Sequence, residues 1–194
     1  AAAHSPHFLP SSPAFERVGS LDPRNWPPPT NLAPDECDRL VPAALDGKAI
    51  HVGHYLEPRL VYTTDDYLTA PTAIEGRRTM HIGIDLFAPD GRAVRAPLDG
   101  EVATAIDRAN PQDYGGTVVL RHTTDDGDAF FTLYGHLDPA SITGLKPGTR
   151  VDPGEKFATL GSSAVNGGWQ PHLHFQLAMC LPDGETASVD DWPG

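Results

Sequence analysis

Apolar residues recur along this chain in short runs, each closed by Gly, Pro, Asn or Asp: IGIDLFA, AVRAPL, GEVATAI, GTVVLRH, AFFTLYGHL, KFATLG and HLHFQLA. Between them stand APDG, PLDG, DDG, LKPG and DPG, which supply the residues that tight turns require. No segment sustains a helical period over ten or more residues, so the pattern predicts an all-β core with strands paired antiparallel through short loops. HLHFQLA has a clear period of two. Leu173, Phe175 and Leu177 alternate with His172, His174 and Gln176, which gives the strand one apolar and one polar face.

Upstream of these runs the pattern changes. The first 34 residues hold eight of the 20 prolines, three of them consecutive at Pro27, Pro28 and Pro29. Proline fixes φ and removes a backbone donor, so 1–34 reads as an extended leader. Asp35 to Leu45 reads as a short helix capped by Asp35 and disturbed by Pro42. IHVGHYL and RLVYTT then read as strand pieces and TAPTAIEGRR as loop. The expected organisation is a Pro-rich leader (1–34), an accessory segment packed on the core (35–70), a β domain (71–182) and a C-terminal tail (183–194). A chain of 194 residues has room for one well-buried core with such appendages.

Charge narrows the partners. Asp and Glu outnumber Lys and Arg 26 to 14, for a formal charge of -12. Neutralising phosphates takes clustered cations, so the balance argues against nucleic acid, and it gives no attraction toward anionic lipid or wall polymers. No apolar run approaches the roughly 20 residues that span a bilayer, so no membrane insertion is expected, and the first residues lack a signal-peptide pattern. Two cysteines, Cys37 and Cys180, are too few for a disulfide framework.

Candidate chemistry lies in the histidines and one aspartate. HIGID (His81, Asp85), LYGHLD (His136), PHLH (His172, His174) and HVGH (His51, His54) each set such side chains beside a β-run. Two imidazoles and one carboxylate with an open fourth position form a normal catalytic shell for Zn²⁺. On a straight strand His81 and Asp85 would lie about 13 Å apart, so sharing an ion requires a bend, and Gly83 has the conformational freedom to make one. His172 and His174 lie about 6.6 Å apart between Cα positions on one strand face, within reach of one small site. His51 and His54 are weaker candidates, since their spacing suits a helix that Val52, Gly53 and Tyr55 disfavour. His4, His7 and His122 have no supporting context.

Taken in order, HIGID, FAPDGRAVRAPLDGEV, YGGTVVLRH, TLYGHL, LKPGTRVDPGEKFATLG and PHLHFQL resemble the lysostaphin-type zinc metalloendopeptidases from about Arg77 to Ala178. The resemblance implies the antiparallel β-sheet core of that family, with a β-hammerhead-like groove, and a Zn²⁺ cofactor held by His81, Asp85 and His174. It implies that His136 and His172 flank the attacking water as catalytic residues. It also implies a peptide or peptidoglycan-like substrate. Two departures stand out: HLHFQ where many members have HLHFE, and NGGWQP, whose Trp169 is expected to reshape the groove. RRTMHIGIDLFAP, NGGWQPHLHFQ and EPRLVYTT further resemble the peptidase-like middle domain of large bacterial proteins that also carry a class III aminotransferase. That likeness implies one module of a longer multidomain chain. A wall hydrolase would work outside the cell or in the periplasm, and an aminotransferase-linked module in the cytoplasm.

Three rivals remain. A non-haem Fe(II) oxygenase shares the two-His, one-carboxylate triad, but leaves His136 and His172 without work. A biotinyl or lipoyl carrier module shares LDGEV and GTRVDPGEKFATLG, but Lys48, Lys146 and Lys156 do not lie in the tight hairpin that a carrier lysine needs. The third is a metal-binding, non-hydrolytic peptidase-like module that recruits a partner or regulates an attached enzyme domain. The leader offers Asn25 and Asn31 as fourth ligands if it crosses the groove.

Overall fold

In the computed structural model, residues 51–53, 55–59 and 80–179 are described. Eleven strands and one short helix follow in order among them. They are β1 (His51–Gly53), β2 (Glu57–Pro58), β3 (Met80–His81), β4 (Ile84–Phe87), β5 (Ala93–Arg95), β6 (Gly100–Arg108), β7 (Gly115–Thr123), β8 (Ala129–Leu137), α1 (Pro139–Ile142), β9 (Arg150–Val151), β10 (Lys156–Thr159) and β11 (His172–Ala178). All seven runs expected as strands contain one, and the single helix has four residues. The fold is therefore the all-β, antiparallel architecture that the turn-punctuated pattern predicts.

Seven strands form one antiparallel sheet in the order β1-β4-β11-β8-β7-β6-β9. Short loops make the β6-β7 and β7-β8 hairpins, whereas β11, last in the chain, inserts between β4 and β8. The register places Leu86, Leu173, Phe175, Tyr134 and Val118 on one face. That face packs with Val94, Phe157 and Ala158 of the β5-β10 pair and with Ile142 of α1 into the main core. On the other face, Val119, Phe131, Leu133 and Tyr114 form a smaller cluster. Its neighbours in the same register are Gln176, His174, Asp85, His172 and Phe87.

The alternation along β11 thus separates the core from the polar face, with one exception. Leu177 lies on the apolar side but is 59% exposed, while Gln176 on the polar side is buried. The leader 1–34, the proposed helix at 35–45, most of the 35–70 segment, the tail 183–194, His54, Cys37 and Cys180 lie outside the described residues. The described part of 35–70 supplies β1 to the main sheet and β2 as partner of β3. Among the described residues, no helix is long and apolar enough to cross a membrane.

Candidate metal centre and its neighbours

Asp85 on β4 and His174 on β11 are direct cross-strand partners, so the fold register alone sets their side chains on one face side by side. His81 reaches the same point from β3, across a bend at Ile82 and Gly83. Asp85 Oδ1 stands 3.1 Å from His174 Nδ1 and 3.2 Å from His81 Nε2, and the two ring nitrogens are 3.1 Å apart. All three residues are buried. Three N or O ligands at 2.0–2.2 Å from a tetrahedral ion lie about 3.3 Å from one another. The donor triangle is close to that size, so this cluster fits Zn²⁺.

Gly83 makes this possible, for a reason different from the one the sequence suggests. Its backbone is not in the left-handed region; what the site needs is its missing side chain. A Cβ there would lie 2.5 Å from His174 Cε1, 2.6 Å from His174 Nε2 and 2.7 Å from the Phe175 carbonyl. On its outer edge His174 Nε2 lies 3.4 Å from Gln176 Oε1, a contact in which Nε2–H donates and Nδ1 is left to face the carboxylate. Gln176 therefore touches the outer nitrogen of His174 and leaves the donor triangle to the other three groups.

His172, two residues before His174 on the same face, stacks on Phe87 with ring centroids 4.8 Å apart. Its Nδ1–H donates to the Gln170 carbonyl at 2.6 Å, so Nε2 carries the lone pair and lies 3.7 Å from Asp85 Oδ1. His136 is delivered by a bulge. Across β7, Gly116 pairs with Leu137 and Val118 with Tyr134, so Gly135 and His136 together oppose Thr117 alone. His136 occupies the left-handed region at φ 60°, a conformation costing a non-glycine residue about 1 kcal/mol or more, and the bulge redirects its side chain. Its Nδ1–H donates to the Asn166 carbonyl at 3.0 Å, and its ring centroid lies 4.2 Å from that of His172.

Burial sets the charge of these groups. It pushes the pKa of His136 well below the ordinary imidazole value, reinforced by His172 and His174, and lowers His172 to about 4 and His174 in the same direction. For Asp85 burial acts upward, but the adjoining histidines, His81 foremost, and the Arg59 guanidinium outweigh it, holding its carboxyl well below the usual carboxylate range. At neutral pH the site thus presents an ionised carboxylate beside neutral imidazoles at His136, His172 and His174.

The five site residues named from sequence come together here. The side chain of His51 and the whole of His54 lie outside the described residues. His122 is buried elsewhere, between the Asp99 carbonyl and Thr132 Oγ1. Trp169 ties loops together, since its Nε1–H donates to the Asp113 carbonyl and its backbone exchanges two hydrogen bonds with the Asn166 side chain. Sequence reasoning missed Asn166, Tyr114 and Arg59. Tyr114 packs against His174 and His136 with ring centroids 5.2 and 5.8 Å away, and Arg59 ion-pairs with Asp85. Tyr114 opens YGGTVVLRH and Arg59 belongs to EPRLVYTT, but neither carries a spacing signal tying it to the histidines.

The fold and donor cluster define a metallopeptidase-like β domain. The sequence model of Peptidase family M23 matches residues 79–187, and the chain belongs to that family, whose peptidases are zinc-dependent. It is 34% identical over 161 residues to the DD-carboxypeptidase/endopeptidase Mpg of Neisseria meningitidis serogroup B, covering 75% of this chain and 34% of that protein. It is 32% identical over 104 residues to the cell division protein DipM of Caulobacter vibrioides, covering 54% of this chain and 15% of that protein. The chain therefore spans about a third or less of these relatives. Among solved structures it resembles a zinc-containing peptidase from Vibrio cholerae, with 30% identity and a TM-score of 0.43, covering 60% of this chain and 32% of that one.

Proposed function

We propose that this chain is a zinc-dependent endopeptidase that hydrolyses a peptide bond in a peptidoglycan cross-link or stem peptide. The observation that carries this reading is the 3.1–3.2 Å triangle of His81 Nε2, Asp85 Oδ1 and His174 Nδ1 beside two imidazoles with fixed tautomers. When bound there, Zn²⁺ supplies Lewis acidity, which polarises a carbonyl and makes water nucleophilic near neutral pH. His172 and His136, each anchored at Nδ1–H by a backbone carbonyl, turn Nε2 toward the site. One accepts the proton of the attacking water; the pair then stabilises the oxyanion and returns a proton to the leaving amine. Family membership and the carboxypeptidase and endopeptidase name of the Neisseria relative support the substrate class.

Digestion of purified peptidoglycan tests this. The expected result is new amino termini among the released fragments, abolished by a chelator and restored by added zinc. A zinc-loaded protein that releases none contradicts it. The formal charge of -12, which gives no attraction toward anionic wall polymers, favours a second reading, a metal-binding module that recruits a partner or regulates an attached enzyme. Stoichiometric zinc without hydrolysis selects that reading. Resemblance to the aminotransferase-linked proteins supports a place within a longer chain, with 71–182 as its peptidase-like domain. That place would be cytoplasmic, whereas a wall substrate implies the periplasm or cell exterior.

A further inference from the structure

The two oxygens of Asp85 face different partners. Oδ1 stands with His81 and His174, while Oδ2 accepts a hydrogen bond from Arg59 Nη1 at 2.6 Å. The contact is sealed from water, with 6% of the Arg59 side chain and 1% of the Asp85 side chain exposed. A guanidinium is charged at every relevant pH, and burying one is costly unless it is paired, so its place here calls for a reason.

The local fold is built to admit it. Gly53 lies directly opposite Asp85 on β1, and a Cβ there would fall 2.7 Å from Arg59 Nη2 and 3.2 Å from Asp85 Cβ. Arg59 follows β2, whose Glu57 pairs with His81 on β3. One two-stranded unit thus brings both His81 and Arg59 to the same carboxylate.

We propose that Arg59 is a positioning residue that keeps Asp85 Oδ2 away from the metal, so that Asp85 offers a single oxygen. The inference rests on the zinc site proposed above. A carboxylate can give a divalent ion one oxygen or both. Both would fill the position that hydrolysis needs open for water and the substrate carbonyl. With Oδ2 held in a short, charge-assisted hydrogen bond, the second oxygen is occupied. The guanidinium also offsets the charge of Asp85, so the ion keeps more of its power to polarise a carbonyl.

Cobalt(II) substitution reads this out, because its visible absorption weakens as coordination rises from four to five. The full chain and its Arg59→Met and Arg59→Lys variants are loaded with Co²⁺, counted by elemental analysis and compared by absorption, with circular dichroism as the check on folding. Arg59→Met is expected to hold one metal per chain with band intensity lowered about twofold or more as Oδ2 joins the metal. Arg59→Lys, which restores a cation and a donor, is expected to keep the parent spectrum. Equal spectra for the parent and Arg59→Met would overturn the inference. So would complete loss of metal from a folded Arg59→Met, which would make Arg59 a support for the whole site. If Arg59→Met does not fold, a crystal structure of the zinc-loaded parent decides. Asp85 bound through Oδ1 alone is the expected result, and Asp85 bound through both oxygens overturns the inference. A parent that takes up no metal would remove the zinc reading itself, whereas a loaded parent with an unchanged variant removes this inference only.

Discussion

Asp85 and His174 stand directly opposite each other on adjacent antiparallel strands, with Asp85 Oδ1 3.1 Å from His174 Nδ1. The row continues to Gly53 on one side and Gly135 on the other, so two donors are flanked by two residues without side chains. Gly53 leaves room for Arg59, and Gly135 for the ring of Tyr114. Because strand side chains alternate, a one-residue slip of β11 would turn His172, His174 and Gln176 toward the main core, and burial of Leu173 opposes that slip.

Gly83→Ala is expected to push His174 out of the donor triangle. The new methyl would meet the ring at 2.5 Å and the Phe175 carbonyl at 2.7 Å. Overpacking of this kind costs about 1–3 kcal/mol. Zinc affinity should fall about tenfold or more, as measured by competition with a chelator. Gly144→Ala, where a Cβ meets nothing within 4 Å, should shift stability by less than about 0.5 kcal/mol.

His172→Ala separates proton handling from metal binding. His172 Nε2 lies 3.7 Å from Asp85 Oδ1, outside the triangle of 3.1–3.2 Å contacts. The variant should retain one zinc per chain while hydrolysis falls by about 10²–10⁴. Undiminished hydrolysis would remove His172 from the mechanism.

Asn166→Ala tests the loop that aims His136. Its side chain exchanges two buried 2.9 Å hydrogen bonds with the Trp169 backbone, and their loss should cost about 2–4 kcal/mol. The carbonyl that receives His136 Nδ1–H survives the substitution but is no longer held in place. Hydrolysis should drop with zinc retained, and Trp169 fluorescence should shift to the red as the ring gains water.

Acid should destabilise the metal-free protein in a defined window. Burial depresses the folded-state pKa of His172 to about 4 and lowers those of His136 and His174. Below about pH 6.5 the unfolded chain takes up protons that the folded chain refuses, so stability falls with pH by about 1.4 kcal/mol per unit for each such imidazole. For His172 this loss runs down to about pH 4. Asp85, whose carboxyl is also depressed, adds its loss only below its unfolded value of about 3.9. Urea unfolding midpoints at pH 7 and pH 5 measure the imidazole part, and equal midpoints would contradict it.

Much of this was legible in the sequence because it is local. Period-two alternation and turn residues set the strands, and the family resemblance carried by H-x-G-x-D and HxH singled out the donors. The bend at Gly83 was legible too, but its cause was not, because the ring it accommodates belongs to His174, 91 residues away. The bulge that turns His136 was hidden, since it depends on how β7 and β8 register around Thr117. Arg59 was hidden for the same reason: a single arginine 26 residues before Asp85 has no periodic relation to it. Trp169 stood out in sequence as a change to the groove, yet its indole nitrogen is used to fasten one loop to another.

Zinc content by elemental analysis, on the parent and on Asp85→Ala purified without added metal, tests the central claim most directly. The account predicts close to one zinc per chain in the parent and its loss in the variant. A parent without metal, or a variant that keeps it, would contradict the account.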